Sequence, residues 1–259
     1  MGSKKFIGNQ PITLSESSYN KNTKYFITVK LDGRRFLLKL GKSSCLISSK
    51  VEKIPLEVSL KEQYILDGEM YNNVYHAFDI LLYKGKDTKN LDLGERLLLL
   101  KTFLDEHKID FIVCKKYYTE DVCKDFKYLI KTTKFGDKYD GIIFTPNEHY
   151  YAKVLKWKPP ELLSIDFKIR KKDNKFYVLN QDNTIFKNRY TNGVINVIKE
   201  IYDKYSDGCV LEVIFDKNKK KFKILRDRPD KNKSNYKTVI KSNFDQIINP
   251  VDINKLLCN

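Results

Sequence analysis

Long apolar runs, paired cysteines and clustered histidines are what this chain of 259 residues lacks. No stretch approaches the roughly 18 consecutive apolar residues of a membrane-spanning helix, so no membrane partner is expected. Residues 1–8 hold no apolar core of signal-peptide length. Gly2 opens no complete myristoylation pattern, because Lys5 and Phe6 do not supply the Ser or Thr it requires. The five cysteines (Cys45, Cys114, Cys123, Cys209 and Cys258) are an odd number with no Cys-x-x-Cys pair, and His76, His107 and His149 are isolated. A disulfide framework and a zinc site are therefore not expected, and a reducing, intracellular compartment, nuclear or cytoplasmic, is. No internal repeat is visible.

What is present in excess is positive charge. There are 49 basic and 33 acidic residues, a formal charge of +16. Up to Leu163 the count is 28 basic against 21 acidic, and beyond it 21 against 12, so the shorter part is the more basic. Such a field attracts polyanions, with nucleic acid, nucleotides and anionic membrane surfaces as the candidates. A coding bias toward Lys, Asn and Ile produces the same excess without any partner. At 41% hydrophobic and 32% charged the composition is that of a globular protein, and the length suggests two domains.

Along the chain, residues 9–14 are extended around Pro11, and residues 15–23 are polar with room for one short helix. Residues 25–29 are β-branched and aromatic, Asp32-Gly33 is a hairpin signal, and residues 36–40 are apolar again, which places Lys30 at a strand rim beside a tight turn. Further strands are expected at 45–51, 56–60, 64–66 and 74–82, forming an antiparallel meander with acids at strand ends, and then at 111–115, 139–144 and 154–158. Helical spacing marks residues 93–107, opened by Glu95, and residues 119–134, capped by Thr119 with Glu120 and Asp121 behind it. Pro159-Pro160 makes a stiff joint. Beyond it lie strands at 165–169, 175–179, 209–215 and 222–225, with a helical pattern at 194–205 and a C-terminal helix. This arrangement fits a small OB-type barrel. The fold class expected is α+β, with an antiparallel-sheet domain over residues 1–160 and a smaller OB-fold β-barrel domain over 161–259.

Lys30, Arg35, Glu69, Phe78, Asp140, Lys156 and Lys158 all fall where an apolar strand meets polar residues. Together they offer a nucleophilic amine, carboxylates for a divalent metal or a ribose, an aromatic face for a base and cations for phosphate. Singly, each has a plainer reading. Lys-x-Asp-Gly is a common solvated hairpin, Phe78 is as readily core, Trp157 is a packing anchor, Asp79 can cap a strand end, and Arg34 can be solvated.

Taken in order, Lys30-x-Asp32-Gly33-x-Arg35, Asp67-Gly68-Glu69, Phe78-Asp79, Asp140-Gly141-Ile142-Ile143, Lys156-Trp157-Lys158-Pro159 and Arg226-x-Arg228-x-Asp230-Lys231 resemble the motifs of the covalent nucleotidyltransferases. That superfamily comprises mRNA capping guanylyltransferases and ATP-dependent ligases. The segment Asn9-Gln10-Pro11-Ile12-Thr13-Leu14, the Lys156 motif and residues 230–235 are more similar to capping enzymes, including those of large DNA viruses. The resemblance covers roughly residues 9–236.

It implies that Lys30 forms a phosphoramidate with GMP. Arg35 and Glu69 would contact the ribose, Phe78 would stack on guanine, and Asp140 would lie near a Mg²⁺ or Mn²⁺ ion. Lys156 and Lys158 would hold the α-phosphate, while Arg228, Asp230 and Lys231 would orient pyrophosphate. Either Lys115 or Lys116 would fill a further lysine position of the family. GTP and a 5′-diphosphate RNA end are the implied substrates, and an RNA triphosphatase and a cap methyltransferase on other polypeptides the implied partners. A hinge near Pro159-Pro160 would let the second domain close over GTP. An ATP-dependent polynucleotide ligase using the same lysine, and a non-catalytic RNA-binding module of OB type, are the alternatives.

Overall fold

The computed structural model describes residues 8–48 and 50–258, so most of the N-terminal segment read above for targeting signals lies outside the described residues. Two compact units result: the first takes residues up to Trp157 and then Ile253–Cys258, and the second is Lys158–Asp252. The first unit comprises β1 (Ile12–Thr13), β2 (Tyr25–Leu31), β3 (Arg34–Leu40), β4 (Ser44–Ser48), β5 (Lys53–Leu56), β6 (Tyr64–Tyr71), β7 (Val74–Tyr83), β8 (Lys86–Asp87), α1 (Leu93–His107), β9 (Ile112–Cys114), α2 (Val122–Thr132), β10 (Tyr139–Pro146) and β11 (Leu155–Trp157). In the second lie β12 (Ser164–Lys172), β13 (Lys175–Leu179), β14 (Val194–Asn196), α3 (Lys199–Lys204), β15 (Val210–Asp216), β16 (Lys221–Asp227) and α4 (Lys237–Ile248). The chain then returns to the first unit as α5 (Ile253–Cys258), a segment the sequence groups with the second domain.

Two sheets build the first unit. One runs β1-β11-β10-β2; the other runs β5-β4-β3-β6-β7-β8, with β9 parallel to β7. The expected hairpin at Asp32-Gly33 does not form. β2 pairs with β10, β3 pairs with β4 and β6, and the turn between them passes the chain from one sheet to the other. Gly33 is required here by closeness, since a Cβ would sit 2.9 Å from the Met70 carbonyl oxygen and 3.2 Å from the Glu69 Cβ. Gly68 serves the second sheet similarly. A Cβ there would lie 2.6 Å from the ring of Tyr75, whose hydroxyl donates to the carbonyls of Phe36 and Leu66.

α1 has the bounds its spacing predicts. Asp92 accepts from the Glu95 amide while the Glu95 carboxylate accepts from the Asp92 amide, a reciprocal cap that satisfies two donors. Its inner face lays Leu100 and Phe103 against Leu38, Leu66 and Ala77, and burying each such side chain contributes about 1.5–3 kcal/mol. α2 starts later than expected. Asp121 rather than Thr119 is its cap, accepting from the Lys124 amide. Phe126 on α2 meets the edge of Trp157 at 5.1 Å between ring centroids, so Trp157 is a packing anchor. Cys123 on α2 is joined to Cys258 on α5 by a disulfide. That corrects the expectation of unpaired thiols: 135 residues separate the partners, a distance no local spacing rule spans.

The second unit is an antiparallel sheet ordered β14-β13-β12-β15-β16. Among the described residues no hydrogen-bonded pairing joins the edge strands β14 and β16, so the expected OB-type barrel is not closed by its ladder. Residues 194–196, expected to start a helix, pair instead with Lys175–Tyr177 of β13, and only Lys199–Lys204 are helical. Val194 and Ile195 are β-branched, and a neighbouring strand edge decides between the two periods. α4 closes the core, with Ile240, Phe244 and Ile247 packed among Phe167, Phe215 and Phe222.

Candidate active site

Between the two sheets of the first unit is a cavity of about 250 Å³. Strand alternation selects its lining. β2 contributes Thr28 and Lys30, β10 contributes Ile143 and Thr145, and β11 contributes Lys156. From the other sheet come Arg35, Glu69 and Phe78, with Lys115 just past β9. Arg35 and Glu69 are direct cross-strand neighbours on β3 and β6.

Lys30 is the next-to-last residue of β2, opposite Gly141 on β10. The ladder slips between Tyr139 and Gly141, and Asp140 is the extra residue. A bulge of this kind re-aims a side chain. The Lys30 Nζ donates to both Asp140 oxygens, at 2.8 and 3.1 Å, and both side chains are largely buried. Lys30 and Asp140 are 110 residues apart in sequence and meet only through the β2–β10 pairing.

Arg35 grips Asp67 with two parallel hydrogen bonds of 2.9 and 2.6 Å. Burial opposes the Arg35 charge, but fully buried Asp67 outweighs it and raises the guanidinium pKa. The Tyr150 hydroxyl also donates to Asp67, and the Asn9 side chain donates to the carbonyls of Tyr150 and Ala152. Arg35 is thereby locked with its guanidinium 5.2 Å from the centre of the Phe78 ring. Deeper still, Arg96 from α1 reaches Asp79 at 2.7 and 3.0 Å and also donates to the carbonyls of Leu91 and Glu148. Burial raises the Asp79 pKa to about 6 against the pull of Arg96.

Of the two lysines open for the further position, Lys115 lines this cavity. Its Nζ is 3.3 Å from Glu69 and 5.7 Å from the Phe78 ring centre, and burial lowers its pKa while Glu69 opposes the shift. Lys116 turns the other way, with its Nζ over Tyr118.

The cavity therefore gathers Lys30, Arg35, Glu69, Phe78 and Lys156, with Asp140 on Lys30. Lys158, Arg228, Asp230 and Lys231 belong to the second unit. There Arg228 binds Asp230 at 2.9 and 3.0 Å and Asp166 at 3.1 Å, and Lys231 binds Asp166 as well. The hydrogen bonds to Arg228 lower the Asp230 pKa to about 2. Asn235 and Ser234 clip this segment to β12, the Asn235 Oδ1 accepting from the Asp166 amide and the Ser234 Oγ from the Lys168 amide. Residues not assigned from sequence are Asp67, Asn9, Tyr150 and Thr28. Asp67 shares a strand face with Glu69, two residues away, and that period was a usable signal. Tyr150, in a loop, carried none.

The fold is similar to that of a mycobacterial DNA ligase D solved with ATP and MES, with a TM-score of 0.58 at 14% identity, covering 87% of this chain and 96% of that one. In sequence the chain is similar to proteins named mRNA-capping enzyme. The protein of Caenorhabditis elegans is 24% identical over 295 residues, covering 95% of this chain and 47% of the relative. The mouse protein is 22% identical over 290 residues, with 95% and 48% covered. The mRNA-capping enzyme subunit alpha of Schizosaccharomyces pombe is 29% identical over 216 residues, with 64% and 53% covered. This chain spans about half the length of these relatives. No family model matches.

Proposed function

We propose that the chain is a covalent nucleotidyltransferase acting as an mRNA guanylyltransferase. The observation that carries this reading is Lys30, a largely buried lysine held by Asp140 in a cavity that also contains Arg35, Glu69, Phe78, Lys115 and Lys156. In the first step the Lys30 amine attacks the α-phosphorus of GTP. A phosphorus–nitrogen bond to GMP forms, the bond to the bridging oxygen breaks, and pyrophosphate leaves. In the second step a terminal phosphate oxygen of a 5′-diphosphate RNA displaces the lysine, giving the capped end and the free amine.

The chain's own groups suit these tasks. The amine must be unprotonated to attack, and Asp140, 2.8 Å away, holds Lys30 in the cavity among the groups that would bind the nucleotide. Phe78 offers a ring face for the base and Glu69 a carboxylate for the ribose hydroxyls, while Lys156 supplies charge for the α-phosphate. Lys158, Arg228, Asp230 and Lys231 would serve the phosphates from the second unit. Phosphoryl transfer depends chiefly on positioning and charge neutralisation.

A divalent cation, Mg²⁺ or Mn²⁺, is part of the proposal. Among the described residues no cluster of three or more His, Cys, Asp or Glu side chains could hold one unaided. Asp140 supplies one hard carboxylate, which fits an ion whose remaining ligands are triphosphate oxygens and water. Such an ion would neutralise charge on the reacting phosphates.

Guanine rather than adenine rests on the relatives named mRNA-capping enzyme, two of which align over 95% of this chain. Adenylyl transfer by the same lysine is the second reading, supported by the fold shared with a ligase solved with ATP. Partners that supply triphosphatase and methyltransferase activities belong to the capping reading. Incubation with GTP or ATP, each labelled at the α-phosphate, distinguishes the two: label retained on denatured protein from GTP supports capping, and from ATP alone supports ligation.

A further inference from the structure

The second unit carries a groove of about 840 Å³ along β13 and β14, floored by Tyr177 and walled by Lys175, Lys187, Arg189, Lys220 and Lys221. None of its lining residues, among the described ones, is acidic. These five cations are exposed, and Tyr177 is half-buried on the strand face opposite Phe176 and Val178 of the core.

The loop that bears Arg189 is built rather than loose. Asn188 Oδ1 accepts from the amides of Tyr190 and Thr191, at 2.8 and 3.1 Å. Gly193 has φ +75°, and a Cβ there would fall 2.0 Å from the Phe186 carbonyl oxygen. Phe186 and Gly193 both bond to Val178, through Phe186 N to Val178 O and Val178 N to Gly193 O. Tyr190 rests on Phe244 of the core, and the Arg189 guanidinium lies 4.8 Å from the centre of its ring.

We propose that this groove binds single-stranded RNA, holding the body of the transcript whose end is processed. Cations that track phosphates, with a tyrosine face and a guanidinium plane available to bases, are the means by which single strands are bound without sequence readout. A duplex offers no base faces, so the aromatic floor would be unused by it. The assignment of the bound strand as the substrate's own body rests on the capping reading; binding of the strand does not.

The test uses the full chain and a fluorescent, unstructured 12-nucleotide RNA, with anisotropy as the readout. The double variant Lys187→Glu/Arg189→Glu is expected to bind about tenfold or more weakly. Tyr177→Ala should lose about fivefold or more, as removal of one stacking platform does. The slope of log affinity against log salt should be no steeper than about −3.5, the limit for five cations on a single strand. Protein–GMP adduct formation without RNA should be unchanged in all variants, which separates the two readings. An adduct with unaltered RNA affinity in the variants overturns the groove and leaves the guanylyltransferase reading standing. RNA binding lost in the variants of a chain that forms no adduct does the reverse. Equal binding of a 12-base-pair duplex, or RNA displaced by polyglutamate with no effect of Tyr177→Ala, would also overturn the assignment.

Discussion

Lys30 and Asp140 form a largely buried ion pair, Nζ to Oδ1 2.8 Å, made possible by one bulged residue in the strand opposite the lysine. Removing the charge while keeping the shape tests what that carboxylate does. In Asp140→Asn the amine keeps a hydrogen-bond acceptor but loses its counter-charge, and the proposed cation loses its carboxylate. Adduct formation from GTP should fall about 10²-fold or more, the scale of one lost electrostatic group at a reacting centre, with the variant still folded by circular dichroism. An adduct rate within twofold of the original would remove Asp140 from the chemistry.

Arg35 and Asp67 give a stability prediction. Deleting one member of a buried pair leaves the other uncompensated, so Asp67→Ala should destabilise by about 3–5 kcal/mol in denaturant unfolding. Tyr150→Phe removes one hydrogen bond from the same carboxylate and should cost only about 0.5–1.5 kcal/mol. Equal losses in the two variants would contradict the network as described.

The adjacent lysines at 115 and 116 should separate cleanly. Lys115→Met empties the cavity of a cation that faces Glu69 and Phe78, whereas Lys116→Met alters a side chain lying on Tyr118. Adduct formation is expected to fall at least tenfold in the first and less than twofold in the second, by label retention at fixed GTP.

The disulfide between Cys123 and Cys258 ties the returning helix α5 to α2. Cross-links that close long loops typically contribute about 2–4 kcal/mol, so Cys258→Ser should lower the unfolding midpoint, and dithiothreitol should lower that of the unaltered protein but not of the variant. Unchanged midpoints in both would show that the bond does not form in solution.

How far these features can be read from residues alone varies with their range. α1 is legible to the residue because its cap, Asp92 with Glu95, and its 3.6-residue period are both local. The Asp32-Gly33 turn misleads because a turn signal says that the chain reverses, not which sheet receives it. Lys30, Glu69 and Phe78 can be named as site residues from strand positions, and Asp67 from the face it shares with Glu69, but Tyr150 cannot. The role of Tyr150 depends on a contact between a strand and a loop 83 residues apart. Val194–Asn196 read as helical from spacing alone for the same reason, their partner strand being supplied by the fold.

The most direct test of the central claim is the phosphate label itself. Purified protein is incubated with a divalent cation and GTP labelled at the α-phosphate, denatured, and digested to locate the adduct. The account predicts an acid-labile, alkali-stable label on the peptide containing Lys30, abolished in Lys30→Ala. Label that persists in Lys30→Ala, or that maps to a different lysine, would contradict it.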